Sequence, residues 1–337
     1  MIEIEPGVYQ LRLPIPHRHP GYVNAYLAQG DKDNGYLLVD TGWSTEEAFN
    51  SLKGQLAEIG VNFEDISQIV ITHAHPDHYG LAGRLKHLCH AQVFLHEQEK
   101  DLIKSRYIDM DGLLQQTAQW LHVNGAPPDE LTELQTASLP MLRFVTPILP
   151  DVTLYGGETI TTGYFSFKVL WAPGHASGHI CLYEPNRKIL FSGDHILPTI
   201  TPNIGLHPQS GSNPLGDYLD SLNSLKQLEV RLILPGHEHP FTDLKSRIEE
   251  LIQHHQRRNS EILQTLKAKP KTAYQIATEI TWMSDTNGFG WVKLDAWNKR
   301  MAVSETLSHL EAMRADKEVD KFVRDEIIYY RTPKNEG

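Results

Sequence analysis

Four side chains able to bind a metal ion fall within six positions, directly behind a strand-like apolar run. Ile69-Val70-Ile71 leads into Thr72-His73-Ala74-His75-Pro76-Asp77-His78-Tyr79-Gly80. Three imidazoles and a carboxylate on one short loop pack poorly as core, whereas ions such as zinc take these groups at about 2.0–2.2 Å. The loop alone leaves an ion short of ligands. The fold must therefore bring the ends of other strands to the same place.

Three further runs supply what is missing. Phe167-Lys168-Val169-Leu170-Trp171 ends in Ala172-Pro173-Gly174-His175, Ile189-Leu190-Phe191 in Ser192-Gly193-Asp194, and Arg231-Leu232-Ile233-Leu234 in Pro235-Gly236-His237. Each is a short β-type run that meets a glycine-containing turn with a ligand type just beyond, where loops at one edge of a sheet converge. Together the four segments offer seven ligands, enough for two ions.

With Leu38-Val39-Asp40-Thr41-Gly42 as a first block, the His/Asp loop, His175, Asp194 and His237 complete five spaced blocks. In these blocks, over about residues 8–245, the chain resembles the metallo-β-lactamase-fold hydrolases. The resemblance implies an α/β protein with the four-layer αββα arrangement. It assigns His73, His75 and His175 to one metal, Asp77, His78 and His237 to the other, and Asp194 to a bridge between them. Asp40 would orient a ligand imidazole, an outer partner of the kind metal sites generally need.

The bridging residue narrows the branch. Asp at this place is similar to glyoxalase II, lactonases and phosphodiesterases, whereas enzymes that destroy β-lactams tend to carry Cys or Ser there. Two divalent ions about 3.5–4 Å apart share a water whose pKa falls towards about 7. The expected reaction is direct attack by metal-bound hydroxide, without a covalent enzyme intermediate, with Asp77, Asp194 and His207 taking part. Zinc is the first expectation for both ions, and the mixed His/carboxylate set also accepts iron or manganese.

Composition bounds the alternatives. With 337 residues, 40% of them hydrophobic, the chain has room for one large and one small domain. A net charge of −11 argues against a nucleic-acid-binding polycation. Cys89 and Cys181 form no disulfide framework and read as buried free thiols. The start, Met1-Ile2-Glu3-Ile4-Glu5-Pro6, has neither a basic nor an apolar leader region, and no run reaches membrane-spanning length. A cytoplasmic protein without membrane contact is expected.

Helical spacing predicts helices over 45–59, behind a Ser44/Thr45 cap and stopped by Gly60, and over 80–88. Residues 97–150 depart from the strand pattern, with helical stretches over 97–107, 113–122 and 131–144. They read as an insertion that either covers the metal cleft or packs at its periphery. Catalytic and C-terminal domains are expected at 1–245 and 246–337. In the tail, helical stretches over 246–267, 272–280 and 295–315 precede a strand or hairpin over 319–330. That order suggests a winged-helix-like domain, similar to tails attached to one branch of the family. Basic residues number 14 against 12 acidic over 251–337, and 17 against 30 over 1–250. The third helix mixes both signs, so dimerisation or closing the cleft is preferred to sequence-specific DNA binding.

Near the ligands, His195, His179 and His239 read as neighbours, and His195 as an outer partner of the site. His207 or Asn203, on the proline-rich loop 201–208, would orient substrate or give a proton to the leaving group. The leading expectation is a dinuclear metal-dependent hydrolase of a small ester, thioester or lactone. A metal-dependent phosphodiesterase or endoribonuclease is the alternative, with nucleic acid the weaker partner. A non-enzymatic binding module with a retained metal site comes last, since a structural site is normally closed by four ligands around one ion.

Overall fold

The computed structural model describes residues 1–16, 21–108, 110–282 and 290–333. Positions 17–20, 109, 283–289 and 334–337, within the expected domain ranges, lie outside the described residues. Seven strands form the first sheet in chain order. They are β1 (Ile2–Glu5), β2 (Val8–Pro14), β3 (Tyr22–Ala28), β4 (Tyr36–Val39), β5 (Ile66–Val70), β6 (Gln92–His96) and β7 (Val152–Leu154). Pairing is antiparallel from β1 to β4 and parallel from β4 to β7. The second sheet has the order β12 (Leu232–Pro235), β11 (Ile189–Gly193), β10 (Ile180–Glu184), β9 (Ser166–Trp171), β8 (Thr159–Thr161). Only β11 and β12 run parallel there, joined through α8 (Pro214–Leu225).

The two-residue alternation of each strand divides its side chains between two cores. In β3, Val23, Ala25 and Leu27 face one core while Tyr26 and Ala28 face another. In β10, Ile180 and Leu182 point one way and Cys181 and Tyr183 the other. The shared middle core holds Tyr26, Val39, Val70 and Phe94 of the first sheet against Phe167, Leu182, Phe191 and Leu234 of the second. Outside the first sheet pack α1 (Glu46–Glu58) and α3 (Ala82–Cys89); outside the second pack α8 and the first half of α9 (Leu244–Leu266). The layers are therefore α, β, β, α. Thr45 caps α1 by accepting from the Ala48 amide at 3.1 Å, as its spacing predicts.

Between β6 and β7 lie α4 (Glu97–Ile103), a π-helical turn over Lys104–Ile108, α5 (Met110–Val123), α6 (Pro128–Thr136) and α7 (Leu139–Leu142). These segments pack against the tail. Leu121, Ala126 and Leu134 share a fourth core with α10 (Ala273–Glu279) and α11 (Ala296–Ala315) of the tail. The antiparallel hairpin β13 (Asp320–Arg324) and β14 (Ile327–Arg331) follows, and Tyr330 enters the same core. Helix α9 belongs to two cores, through Leu244, Ile248 and Leu251 at one end and Ile262 and Leu266 at the other. No described helix is long and apolar enough to cross a membrane. Both cysteines are buried and free, as the sequence predicts.

Candidate metal centre

Strands β4, β5, β9, β11 and β12 each release a site residue just past their C-terminal ends: Asp40, the 73–78 loop, His175, Asp194 and His237. The loop after β5 winds into one short helical turn, α2 (Pro76–Tyr79), which carries Asp77 and His78. Its backbone is tied to the first block, the Thr41 amide donating to the His78 carbonyl at 2.7 Å.

All seven residues singled out from the sequence meet. His75 Nδ1 lies 2.9 Å from His73 Nε2 and 3.0 Å from His175 Nε2. Asp77 Oδ2 is 3.3 Å from His237 Nε2 and 3.9 Å from His78 Nε2. Asp194 stands between the two sets. Its Oδ2 is 3.3 Å from His237 Nε2 and 3.8 Å from His175 Nε2, and its Oδ1 is 3.3 Å from His78 Nε2. Within each triad, His73/His75/His175 and Asp77/His78/His237, the ligand atoms lie within 4.8 Å of one another.

The outward nitrogens explain why the inward ones converge. His78 Nδ1 donates to Asp40 Oδ2 at 2.8 Å, and His175 Nδ1 to the Asn203 carbonyl at 2.9 Å. His73 Nδ1 lies 3.1 Å from Thr72 Oγ1. A ring that gives its Nδ1 proton outward turns a bare Nε2 lone pair inward, the tautomer a metal ligand needs. Asp40 holds its position with a left-handed backbone (φ 60°) and accepts from the Thr72 amide and hydroxyl at 2.8 and 2.9 Å.

Charge separates the two triads. Burial, reinforced by neighbouring imidazoles, keeps His73 well below the usual histidine range. Burial likewise lowers His75 and His175. Burial also works against charging His78 and His237, but the carboxylates around them outweigh it. Asp194 leads for both, so His78 is raised and His237 is pushed up to about 10. Asp77 and Asp194 are held below the carboxylate range, since His78 and His237 overcome the opposing effect of burial.

This donor set fits divalent ions. Adjacent nitrogens about 3 Å apart approach the edge of a tetrahedron with bonds of about 2.0–2.1 Å. His78 Nε2 and Asp194 Oδ1 are buried, 3.3 Å apart, and not aligned as a hydrogen bond. Gly236 leaves the space they use. A Cβ there would sit 2.4 Å from Asp194 Oδ1 and 2.7 Å from His78 Cε1.

Of the weaker sequence candidates, His179 accepts from the Asp194 amide at 3.1 Å. His195 is buried against the Tyr218 ring, 4.8 Å between centroids, and His239 is exposed and belongs to neither ligand triad. His207 and Asn203 line one cavity of about 310 Å³ with His75, Asp77, His175 and Asp194.

Three partners escaped the sequence. Glu99 of α4 is fully buried and accepts from the amides of Ala74 and Gly178, both at 3.0 Å, bracing two ligand loops. Arg106, on the π-helical turn, lies 3.6 Å from Glu99 and donates to Gln209 at 3.1 Å. Glu305 of α11 accepts from Asn203 Nδ2 at 2.8 Å, so a tail residue braces the loop whose carbonyl holds His175. Apart from the Glu99–Arg106 pair, these contacts span 25 residues or more and leave no local pattern to read.

Two face-to-face sheets between helix layers, with histidines and carboxylates gathered at their strand ends, define a metallo-hydrolase architecture. The metallo-beta-lactamase superfamily model matches residues 18–237, and the chain belongs to that superfamily, whose members are generally hydrolases. Over 335 residues the chain is 29% identical to the Bacillus subtilis protein named probable metallo-hydrolase YqjP, covering 97% of this chain and 98% of that one. It is similar to the crystal structure of metallo-beta-lactamase family protein TTHA1429 from Thermus thermophilus. That match has a TM-score of 0.82 and 32% identity and covers 98% of this chain and 100% of the other. A shorter match of 132 residues is 24% identical to an Aspergillus fumigatus protein named atrochrysone carboxyl ACP thioesterase, covering 39% of this chain and 37% of that one.

Proposed function

We propose that the chain is a dinuclear metal-dependent hydrolase of a small ester, thioester or lactone. The observation that carries this reading is Asp194, whose two oxygens reach towards both triads at 3.3 to 3.8 Å. A carboxylate shared by two ligand sets suits a bridged pair of ions better than one closed structural site. When bound, such a pair supplies hydroxide at neutral pH and polarises a substrate oxygen.

His73, His75 and His175 would hold one ion, Asp77, His78 and His237 the other. Asp40 and the Asn203 carbonyl keep His78 and His175 in the ligating tautomer. Asp77 and Asp194, ionised throughout the neutral range, neutralise cationic charge in a site that burial makes costly for it. His207 is lowered to about 3 by burial and by Arg106 and Arg300, so it is neutral at pH 7. Its Nδ1 accepts from the Gln209 amide at 3.2 Å, which leaves the Nε2–H free to donate a hydrogen bond that orients substrate in the same cavity, the positioning role rather than that of a proton donor. The relative named as a thioesterase supports an acyl substrate. Three helices followed by a hairpin support a winged-helix-like tail beginning near residue 246.

The test is hydrolysis by metal-loaded protein of glutathione thioesters, lactones, bis-aryl phosphodiesters and short single-stranded RNA, with Asp194→Ala as blank. Thioester or lactone turnover absent from the blank is expected. Turnover confined to phosphodiesters or RNA would overturn the acyl reading in favour of a phosphodiesterase.

A further inference from the structure

The cavity that touches the ligands is built mainly from elements that carry none. Met110, Leu113 and Leu114 of α5, Leu139 and Leu142 of α7 and Met301 of α11 give it apolar walls. All six are partly buried, none fully. At about 310 Å³ it lies at the lower end of the range for small-molecule sites. It has room for roughly ten heavy atoms, counting about 30 Å³ for each as for a water.

Set into these walls is a guanidinium without an acidic partner. Arg300 donates to the carbonyls of Leu134 and Gln135 at 3.4 and 3.3 Å, long for such bonds, and stacks over Trp297 at 4.8 Å. Among the described residues it makes no ion pair, in contrast to Arg258 and Lys299 nearby, which pair with Glu261 and Glu130. Burial lowers its pKa only to about 10, so the charge is kept at pH 7. A half-buried cation facing an apolar cavity is costly unless something anionic joins it.

Building on the hydrolase reading, we propose that the substrate is an ester or thioester of an apolar acyl chain of about eight carbons. The chain carries a second, terminal carboxylate, and that carboxylate pairs with Arg300. The walls from α5, α7 and α11 select the chain, and Arg300 selects its charged end.

Acetyl, octanoyl and suberyl (octanedioyl monoacid) thioesters of N-acetylcysteamine test both parts. Each methylene moved from water into an apolar site is worth a factor of about three to four. A kcat/KM for octanoyl at least 30-fold above acetyl is therefore expected if half the added chain is buried. A charge-assisted contact should favour suberyl over octanoyl by about tenfold or more. R300M should bring the suberyl-to-octanoyl ratio to one or below, R300K should recover part of it, and Leu114→Trp should collapse the octanoyl-to-acetyl ratio. A flat chain-length profile, or a ratio untouched by R300M, overturns the proposal.

Binding gives a readout independent of turnover. In chelator-treated protein, suberate should quench the fluorescence of Trp120 and Trp297, both in the cavity wall, at lower concentration than octanoate. R300M should abolish that difference. Absence of hydrolysis with this binding preference intact would refute the hydrolase reading alone, and equal binding of the two acids would refute the pocket assignment alone.

Discussion

Replacing Asp40 by asparagine should weaken one metal site while leaving the other nearly untouched. Asparagine tolerates the left-handed backbone at this position (φ 60°), so the loop keeps its course. Its remaining oxygen can still accept from the Thr72 amide, now at 2.8 Å. The amide nitrogen then replaces Oδ2, which accepts from both the Thr72 hydroxyl and His78 Nδ1. The hydroxyl can turn and accept instead. The imidazole can accept only by moving its proton to Nε2, the atom that faces Asp77 and Asp194. Loss of a carboxylate partner behind a ligand typically costs 10- to 100-fold in metal affinity, about 1.4 to 2.8 kcal/mol. One charged hydrogen bond removed from a buried site lowers fold stability by about 1.5 to 3 kcal/mol. Titration of chelator-treated protein with zinc, followed calorimetrically, should show two classes of site in the native chain. In Asp40→Asn the class formed by Asp77, His78 and His237 should shift by the stated factor, and the class formed by His73, His75 and His175 should stay within about threefold. Equal affinities in variant and native protein, with circular dichroism unchanged, would refute the tautomer argument.

Three further outcomes are expected. Glu305→Ala frees Asn203, whose carbonyl holds His175, and should lower metal affinity at the other triad by about tenfold or more; zinc titration unchanged there would count against this brace. Gly236→Ala places a Cβ 2.4 Å from Asp194 Oδ1 and should cost about 1–3 kcal/mol of stability in urea unfolding, with loss of metal binding; normal loading would contradict the packing. His255 and His309 join α9 to α11 through a 3.2 Å contact, both buried and both lowered by burial first, His255 to about 3. Unfolded imidazoles protonate near pH 6.5, so the unfolded state binds more protons between about pH 6.5 and 3. Stability is then full above about pH 6.5 and falls as pH drops, by up to about 1.4 kcal/mol per unit for each histidine. His255→Gln keeps a donor towards His309 and cannot titrate, so its stability should fall less steeply between pH 6 and 4.5; an identical slope would refute the assignment.

The ligand blocks were legible because each is local: an apolar run, a turn and a ligand type within about ten residues. Strand alternation and helical spacing are equally local, and α1, α9, α10 and α11 lie within two residues of where their patterns place them. Arg300, Glu99 and Glu305 were not legible. Their meaning comes from partners brought near by the tertiary fold, 79 residues away for Glu99 and Gly178 and 102 for Glu305 and Asn203. On helices, such residues look like ordinary surface charges. What the insertion packs against was illegible for the same reason, since only the packed structure shows Leu121 and Leu134 beside α10 and α11.

The ligands ride on strand ends of two sheets, while most of the cavity wall comes from α5, α7 and α11. On the proposed reading, chemistry and selectivity would sit on separate parts of the sequence. A substitution that reshaped the wall would then leave the ligand strands untouched. Helix α9, rooted in both cores, keeps such changes from loosening the frame that holds the two parts in register.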